Sequence, residues 1–210
     1  MSEYYKTPID PEFKIPLDLS FQQIQSLDKV AVQKLKPNVH RLGESPPMLV
    51  GRYDTRSLWL SHNKISLVYG LDSLVRRTIL DPDLIGWIDL SFNNIKNVDK
   101  NMFTNFPNLK ILYLHKNQIE EYLSVFVLRR VNSLRTLSLY GNPIEKIREY
   151  RAVVSTMIPQ LVTLDSVFIL PSEKQETNAL NAEIRSYLLP KYEKLEAATF
   201  KRTAVSIESE

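Results

Sequence analysis

Aromatic and titratable side chains recur at matching places along the chain: Trp59 with His62, Trp87 with Asp89 and Phe92, Tyr113 with His115 and Lys116, and then Tyr140. Indole and phenol rings combine a large rigid apolar body with a polar tip, which is the chemistry of anchors in protein interfaces. His62, Asp89, His115 and Lys116 would then form a polar rim around them. The same His/Asp set could in principle move protons, but no activated nucleophile accompanies it. The chain has no cysteine, and its five glycines form no phosphate-cradling loop. His40, His62 and His115 are not at metal-ligand spacing. No catalytic, cofactor-binding or metal-binding residue is therefore expected, and no enzymatic activity.

These side chains fall at fixed offsets within one recurring phrase, apolar-x-x-apolar-x-Leu-x-x-Asn-x-Ile. It runs through Thr55, Leu58, Leu60, Asn63 and Ile65; Ile85, Ile88, Leu90, Asn93 and Ile95; Leu109, Leu112, Leu114, Asn117 and Ile119; and Leu134, Leu137, Leu139, Asn142 and Ile144. The asparagines are 30, 24 and 25 residues apart, close to the roughly 20–29 residues of one strand and one return segment in a leucine-rich repeat. The apolar positions point into the coil, and Asn, with both donors and an acceptor, suits the bend where backbone groups of two coils need partners. The fold class expected is an α/β solenoid with a parallel sheet on the concave face and helices on the convex face.

Because strand side chains alternate, the third, fifth, seventh and eighth positions of each phrase leave the concave sheet. They are Ser57, Trp59, Ser61 and His62; Trp87, Asp89, Ser91 and Phe92; Ile111, Tyr113, His115 and Lys116; and Thr136, Ser138, Tyr140 and Gly141. The expected protein-binding face is therefore Trp59, His62, Trp87, Asp89, Phe92, Tyr113, His115, Lys116 and Tyr140, with Trp59, Trp87 and Tyr113 at its centre. The competing reading is that an N- or C-terminal extension folds back over this face and the rings merely bury it.

At 210 residues, 43% hydrophobic, the chain can bury one core. A formal charge of +3 without any Lys/Arg block does not ask for nucleic acid. Without cysteine no disulfide-sealed flank can form, which points to a reducing compartment. Met1 to Pro16 has no long apolar run and reads as neither signal peptide nor membrane span. A cytoplasmic protein is expected, without membrane or small-molecule partners.

Three segments follow. Residues 1–54 hold an extension and a capping strand, in which Leu17, Leu19, Gln22 and Ile24 fit the phrase with Gln in the Asn place. Ser26 to Leu35 could be a short helix capped by Ser26, and Lys36 to Tyr53, with Pro37, Gly43, Pro46, Pro47 and Gly51, reads as loop. Residues 55–170 are the repeat domain with its C-terminal cap. Helical stripes are expected in the returns at Leu67, Leu71, Leu74 and Val75; at Tyr122, Leu123, Phe126, Val127 and Val131; and at Ile147, Tyr150, Val153, Val154 and Met157. Residues 171–210 are a helical extension and tail: Ser172 could cap a helix to about Leu189 with Leu180, Ile184, Tyr187 and Leu188 as a narrow stripe, Pro190 should break or kink it, Lys191 to Phe200 could resume as a second, charged helix, and Lys201 to Glu210 frays. A stripe this narrow must dock on the solenoid or on a partner.

The strings Pro16-Leu-Asp-Leu-Ser-Phe21, Ser57-Leu-Trp-Leu60, Trp87-Ile-Asp-Leu-Ser-Phe-Asn93, Leu112-Tyr-Leu-His115, Leu137-Ser-Leu139 with Gly141-Asn-Pro143, and the Tyr150-Arg151 pair resemble the leucine-rich repeat-containing protein 51 family over about residues 16 to 170. That resemblance implies a small non-enzymatic protein associated with motile cilia or flagella, a structural component of the axoneme whose partners are other axonemal proteins. It also implies that Tyr150 and Asp165 close the core rather than act as a site. The repeat and cap style is similar as well to the spliceosomal U2 A-prime protein and to regulatory subunits of protein phosphatase 1, which would make the chain an intracellular adaptor instead. A splicing role would predict a basic surface, yet Lys116 is the one Lys or Arg among the concave positions.

Overall fold

A computed structural model of the chain describes residues 12–39, 44–98, 102–175 and 179–207. In chain order its strands are β1 (Leu17–Asp18), β2 (Met48–Leu49), β3 (Arg52–Tyr53), β4 (Ser57–Trp59), β5 (Trp87–Asp89), β6 (Ile111–Tyr113), β7 (Thr136–Ser138), β8 (Thr163–Leu164) and β9 (Val167–Phe168). The helices are α1 (Leu71–Thr78), α2 (Tyr122–Phe126), α3 (Tyr150–Met157), α4 (Ala179–Glu183) and α5 (Leu189–Ile207). Seven strands form one sheet in the order β1-β4-β5-β6-β7-β8-β9, parallel until β9 turns back antiparallel on β8. The register is the one the phrase demands, with Leu17, Leu58, Ile88, Leu112, Leu137 and Leu164 side by side and each completely buried.

The asparagines tie the coils together. Asn93 Nδ2 donates to the carbonyls of Leu90 in its own coil and Leu60 in the coil before, at 3.0 Å each, while its Oδ1 accepts the Ile65 N–H at 3.0 Å. Asn117 repeats this with Leu114, Leu90 and Ile95, and Asn142 with Leu139, Leu114 and Ile119. Asn63 reaches into the capping coil, donating to Leu19 and accepting from Ile24. Gln22, placed in the Asn slot of that coil, instead donates to the Lys36 carbonyl, β1 being the edge strand of the sheet among the described residues. At the far end Asp165 Oδ1 takes the Leu139 and Tyr140 N–H groups and Oδ2 takes the Tyr150 hydroxyl, so this pair is structural.

Several local expectations are corrected. Ser26 to Leu35 is not an α-helix: Ser26 bridges Leu67 and Leu27 is buried, which holds the chain extended until a single 3-10 turn at Val32–Lys34. The segment after Lys36 is not all loop, since β2 and β3 form a hairpin whose turn residues Val50 and Gly51 have φ of 45° and 77°, the positive values of a tight two-residue hairpin turn. Leu67, Ile147 and Tyr187 lie exposed, outside the stripes that bury Leu74, Val154 and Ile184. Lys191 to Phe200 are helical as expected, but Pro190 does not break the helix before them. The missing proline N–H is absorbed by a wider π turn, Ile184–Leu188, where Leu189 N–H bonds the Ile184 carbonyl, and α5 then runs through Ile207 rather than fraying from Lys201. Residues 208–210 lie outside the described residues, as do His40, Gly43 and the start of the N-terminal extension.

The C-terminal extension docks on the convex side: Tyr192 packs 5.8 Å from Phe126, Arg129 and Arg130 pair with Glu193 and Glu196, and Asn181 bonds Thr156. Among the described residues no helix is long and apolar enough to cross a membrane.

Removing one ladder asparagine deprives backbone groups of both coils of partners, at about 1–3 kcal/mol for each group left buried and unsatisfied. Asn93→Ala or Asn117→Ala should therefore lower the melting temperature by about 5–10 °C in circular-dichroism melts. An unchanged midpoint would contradict this account of the core.

Candidate functional site: an aromatic concave face

Parallel strands in register bring the third and fifth positions of successive phrases edge to edge. Trp87 occupies the middle, with Trp59 at 5.2 Å and Tyr113 at 5.6 Å between ring centroids, both edge-to-face, the arrangement aromatic quadrupoles favour. The expected grouping of these three rings is what the geometry gives. The Trp87 indole N–H is buried and meets no acceptor among the described residues.

A second row forms where the strands end. The eighth position of every coil is left-handed: φ is 62° at Phe21, 54° at His62, 52° at Phe92, 55° at Lys116 and 72° at Gly141. This conformation is uncommon outside glycine and turns the chain from the strand toward the Asn bend. It also stacks the side chains, with Phe21 on His62 at 4.4 Å and His62 on Phe92 at 4.2 Å between centroids, their planes nearly parallel. His115 and Tyr140 stack at 4.5 Å, and Tyr113 at 5.9 Å from His115 joins the rows. Phe92 is 39% exposed and Lys116 is exposed, its Nζ 5.9 Å from the Tyr140 ring centroid.

Not all of the expected rim lies at the rim. His62 is half-buried and Lys116 is exposed, but Asp89 and His115 are buried within the face. His115 Nδ1 shares a 3.1 Å hydrogen bond with the Ser138 hydroxyl, and Asp89 Oδ1 accepts the Ser91 N–H at 2.8 Å. Burial, with smaller contributions from His62 and Lys116, pushes His115 down to about 4. Burial pushes Asp89 up to about 6 against the hydrogen bonds from Ser91, and the nearby Asp18 carboxylate adds to the rise. His62 is lowered by burial.

Three members escaped the sequence reading. Asp18 and Phe21 occupy the fifth and eighth positions of the capping coil, so reading the concave positions of that coil as in the four repeats would have found them. Phe13 lies outside any phrase; its buried ring stands 6.1 Å from Trp87, and its carbonyl accepts the Ser57 hydroxyl. Beside it Glu12 pairs with Lys110. Glu12 and Phe13 thus cover the corner of the face at the start of β5, while the C-terminal extension lies on the opposite side.

Residues 85–144 match the family described as leucine rich repeat. Relatives over most of the chain include leucine-rich repeat-containing protein 51 of several mammals. The mouse protein is 34% identical over 150 residues, covering 71% of this chain and 76% of its own. The human protein is 33% identical with the same coverage, and the bovine protein is 36% identical over 152 residues, again 71% and 76%. Among solved structures the chain is similar to the crystal structure of the Drosophila melanogaster SNF/U2A' complex, with a TM-score of 0.59 and 19% identity over 81% of this chain and 86% of that one. That likeness speaks to the fold. The leucine-rich repeat makes the chain a protein-interaction scaffold.

The two buried groups give opposite pH dependences. The raised Asp89 contributes stability that is fully present below about pH 4 and lost as pH rises through about 6. The depressed His115 contributes stability present above about pH 6.5 and lost as pH falls through about 4. At neutral pH the ionised Asp89 is therefore a burden of about 3 kcal/mol. Asp89→Asn should raise the melting temperature by about 5 °C or more at pH 7.5 and by clearly less at pH 4.5. A variant less stable than wild type at pH 7.5 would contradict this.

Proposed function

The chain belongs to the leucine-rich repeat-containing protein 51 family, and from that premise we propose that it is a non-enzymatic structural scaffold of the ciliary or flagellar axoneme, whose concave aromatic face grips another axonemal protein. The observation that carries the binding role is the continuous band of rings from Trp59 through Trp87 to Tyr113, joined by the stacked row at His62, Phe92, His115 and Tyr140. Rings are the side chains most enriched in binding hot spots, and here the sheet holds them rigid, so little ordering entropy opposes association. The axonemal setting, and with it a place in the cytoplasm and cilium, is what the family resemblance implies.

The alternative is an intracellular adaptor resembling the spliceosomal U2 A-prime protein or a protein phosphatase 1 regulator. Its support is the shared fold at 19% identity. The concave face argues against an RNA-proximal role, because Asp18 and Asp89 lie within it and Lys116 is its one Lys or Arg among the phrase positions.

Tyr113→Ala and Phe92→Ala each remove a ring without opening the solenoid core. Both should keep a native circular-dichroism spectrum and lose about tenfold or more in affinity for demembranated axonemes in a cosedimentation assay. Trp87→Ala should do the same while also loosening Phe13. Wild-type binding by all three variants would remove the concave face as the site, and recovery of the protein in nuclear extract instead of axonemes would favour the adaptor reading.

A further inference from the structure

Glu12 and Phe13 occupy the rim of the sheet in a way that later coils could repeat with a partner. The Phe13 ring meets Trp87 edge-to-face at 6.1 Å and lies beside Gly86, where an added Cβ would come within 2.7 Å of it. Glu12 pairs with Lys110, one coil further on. Gly86, Lys110, Arg135 and Val162 are neighbours along the line where the strands begin. The Lys110 and Ile111 N–H groups bond the Gly86 carbonyl, those of Arg135 and Thr136 the Lys110 carbonyl, and those of Val162 and Thr163 the Arg135 carbonyl. Beside this rim runs the third-position row, in which Trp87, Ile111, Thr136, Thr163 and Phe168 are register partners in turn. The protein's own clip therefore sets a ring against the row and a carboxylate on the rim cation of the next coil.

The same pairing of apolar row and basic rim continues beyond the clip. Arg135 is exposed, Val162 is 45% exposed and Phe168 71%. Lys174, held below its ordinary range by burial and then by the charge of Arg135, brings a second cation near. Backbone groups at the edge of the sheet are already engaged, since Arg151 Nη2 donates to the Phe168 carbonyl and the Leu170 N–H to Glu173, both at 2.8 Å. Side chains rather than an added strand are thus what this end offers. From Ile111 to Phe168 the row crosses three strand spacings, about 14 Å, enough to seat a short segment. We propose that this trough takes a segment of the bound protein patterned like Glu12-Phe13, with a carboxylate on Arg135 and an aromatic or large apolar side chain laid between Thr163 and Phe168. The inference rests on the concave face being the protein-binding surface and extends that face to its last strand. A guanidinium holds a carboxylate in a two-pronged grip, and a charge at an apolar rim selects the partner while the buried ring anchors it.

The test uses the full chain with labelled valine and isoleucine methyl groups, followed by NMR. The probe is acetyl-Asp-Pro-Glu-Phe-Lys-Ile amide, the sequence of residues 10–15. It should shift the Val162 methyls saturably, and the same peptide with Gln in place of Glu should bind about threefold or more weakly. Phe168→Ala and Arg135→Glu alter exposed side chains and should each weaken the peptide about fivefold or more, while the double variant should lower axoneme affinity at least tenfold. Equal binding of the two peptides, or unchanged binding by both variants, overturns the proposal. So does a response at Ile111 without one at Val162, which would mark displacement of Phe13 beside Trp87. Self-association in sedimentation velocity that Phe168→Ala abolishes would give the trough to a second copy of this chain and equally overturn it. If Tyr113→Ala loses axoneme binding while the double variant keeps it, the trough fails and the concave face stands. If all of these variants keep it, both fail.

Discussion

Each of the four repeat coils is tied to the one before it by a single side-chain amide. Asn63, Asn93, Asn117 and Asn142 each give donors to carbonyls in two coils and take an N–H from the earlier one, and Asp165 ends the series by receiving the last free amides. Without these groups the bend after each strand would bury unpaired backbone, and the leucines stacked beneath could not close into a dry core. The coil repeat, the parallel register and the buried Leu and Ile columns all depend on that amide.

The concave face is a consequence of the same constraint. Once register is set, a residue at one position of the phrase stands beside its counterparts whether or not it packs well with them. The row at the fifth position becomes Asp-Trp-Asp-Tyr, and the row at the eighth, forced left-handed by the turn toward Asn, becomes a stack of Phe21, His62 and Phe92. The core would be served equally well by small polar residues at these places, as the buried row Ser20, Ser61 and Ser91 demonstrates one position earlier. Rings and a buried carboxylate are what a bare solenoid has no need of, and they set this face apart.

Most of the fold was legible because the phrase has a period and each of its positions a single task. The strands, the buried columns and the rings at Trp59, Trp87 and Tyr113 follow from counting. What the count could not reach depends on contacts distant in sequence. Phe13 finds Trp87 across more than seventy residues. Asp89 and His115 look like rim residues but are buried within the face. The Val50-Gly51 hairpin and the π turn before Pro190 are local solutions in segments that lack the repeat, where composition suggests only a loop and a break.

The central claim is that the concave rings, and not the convex helices, touch the partner. Site-specific photo-cross-linking decides it most directly, with the probe placed in turn at Phe92 on the concave side and at Tyr69 beside α1, which is 70% exposed. On demembranated axonemes the account predicts one discrete cross-linked product from Phe92 and none from Tyr69. A product from Tyr69 alone would contradict it.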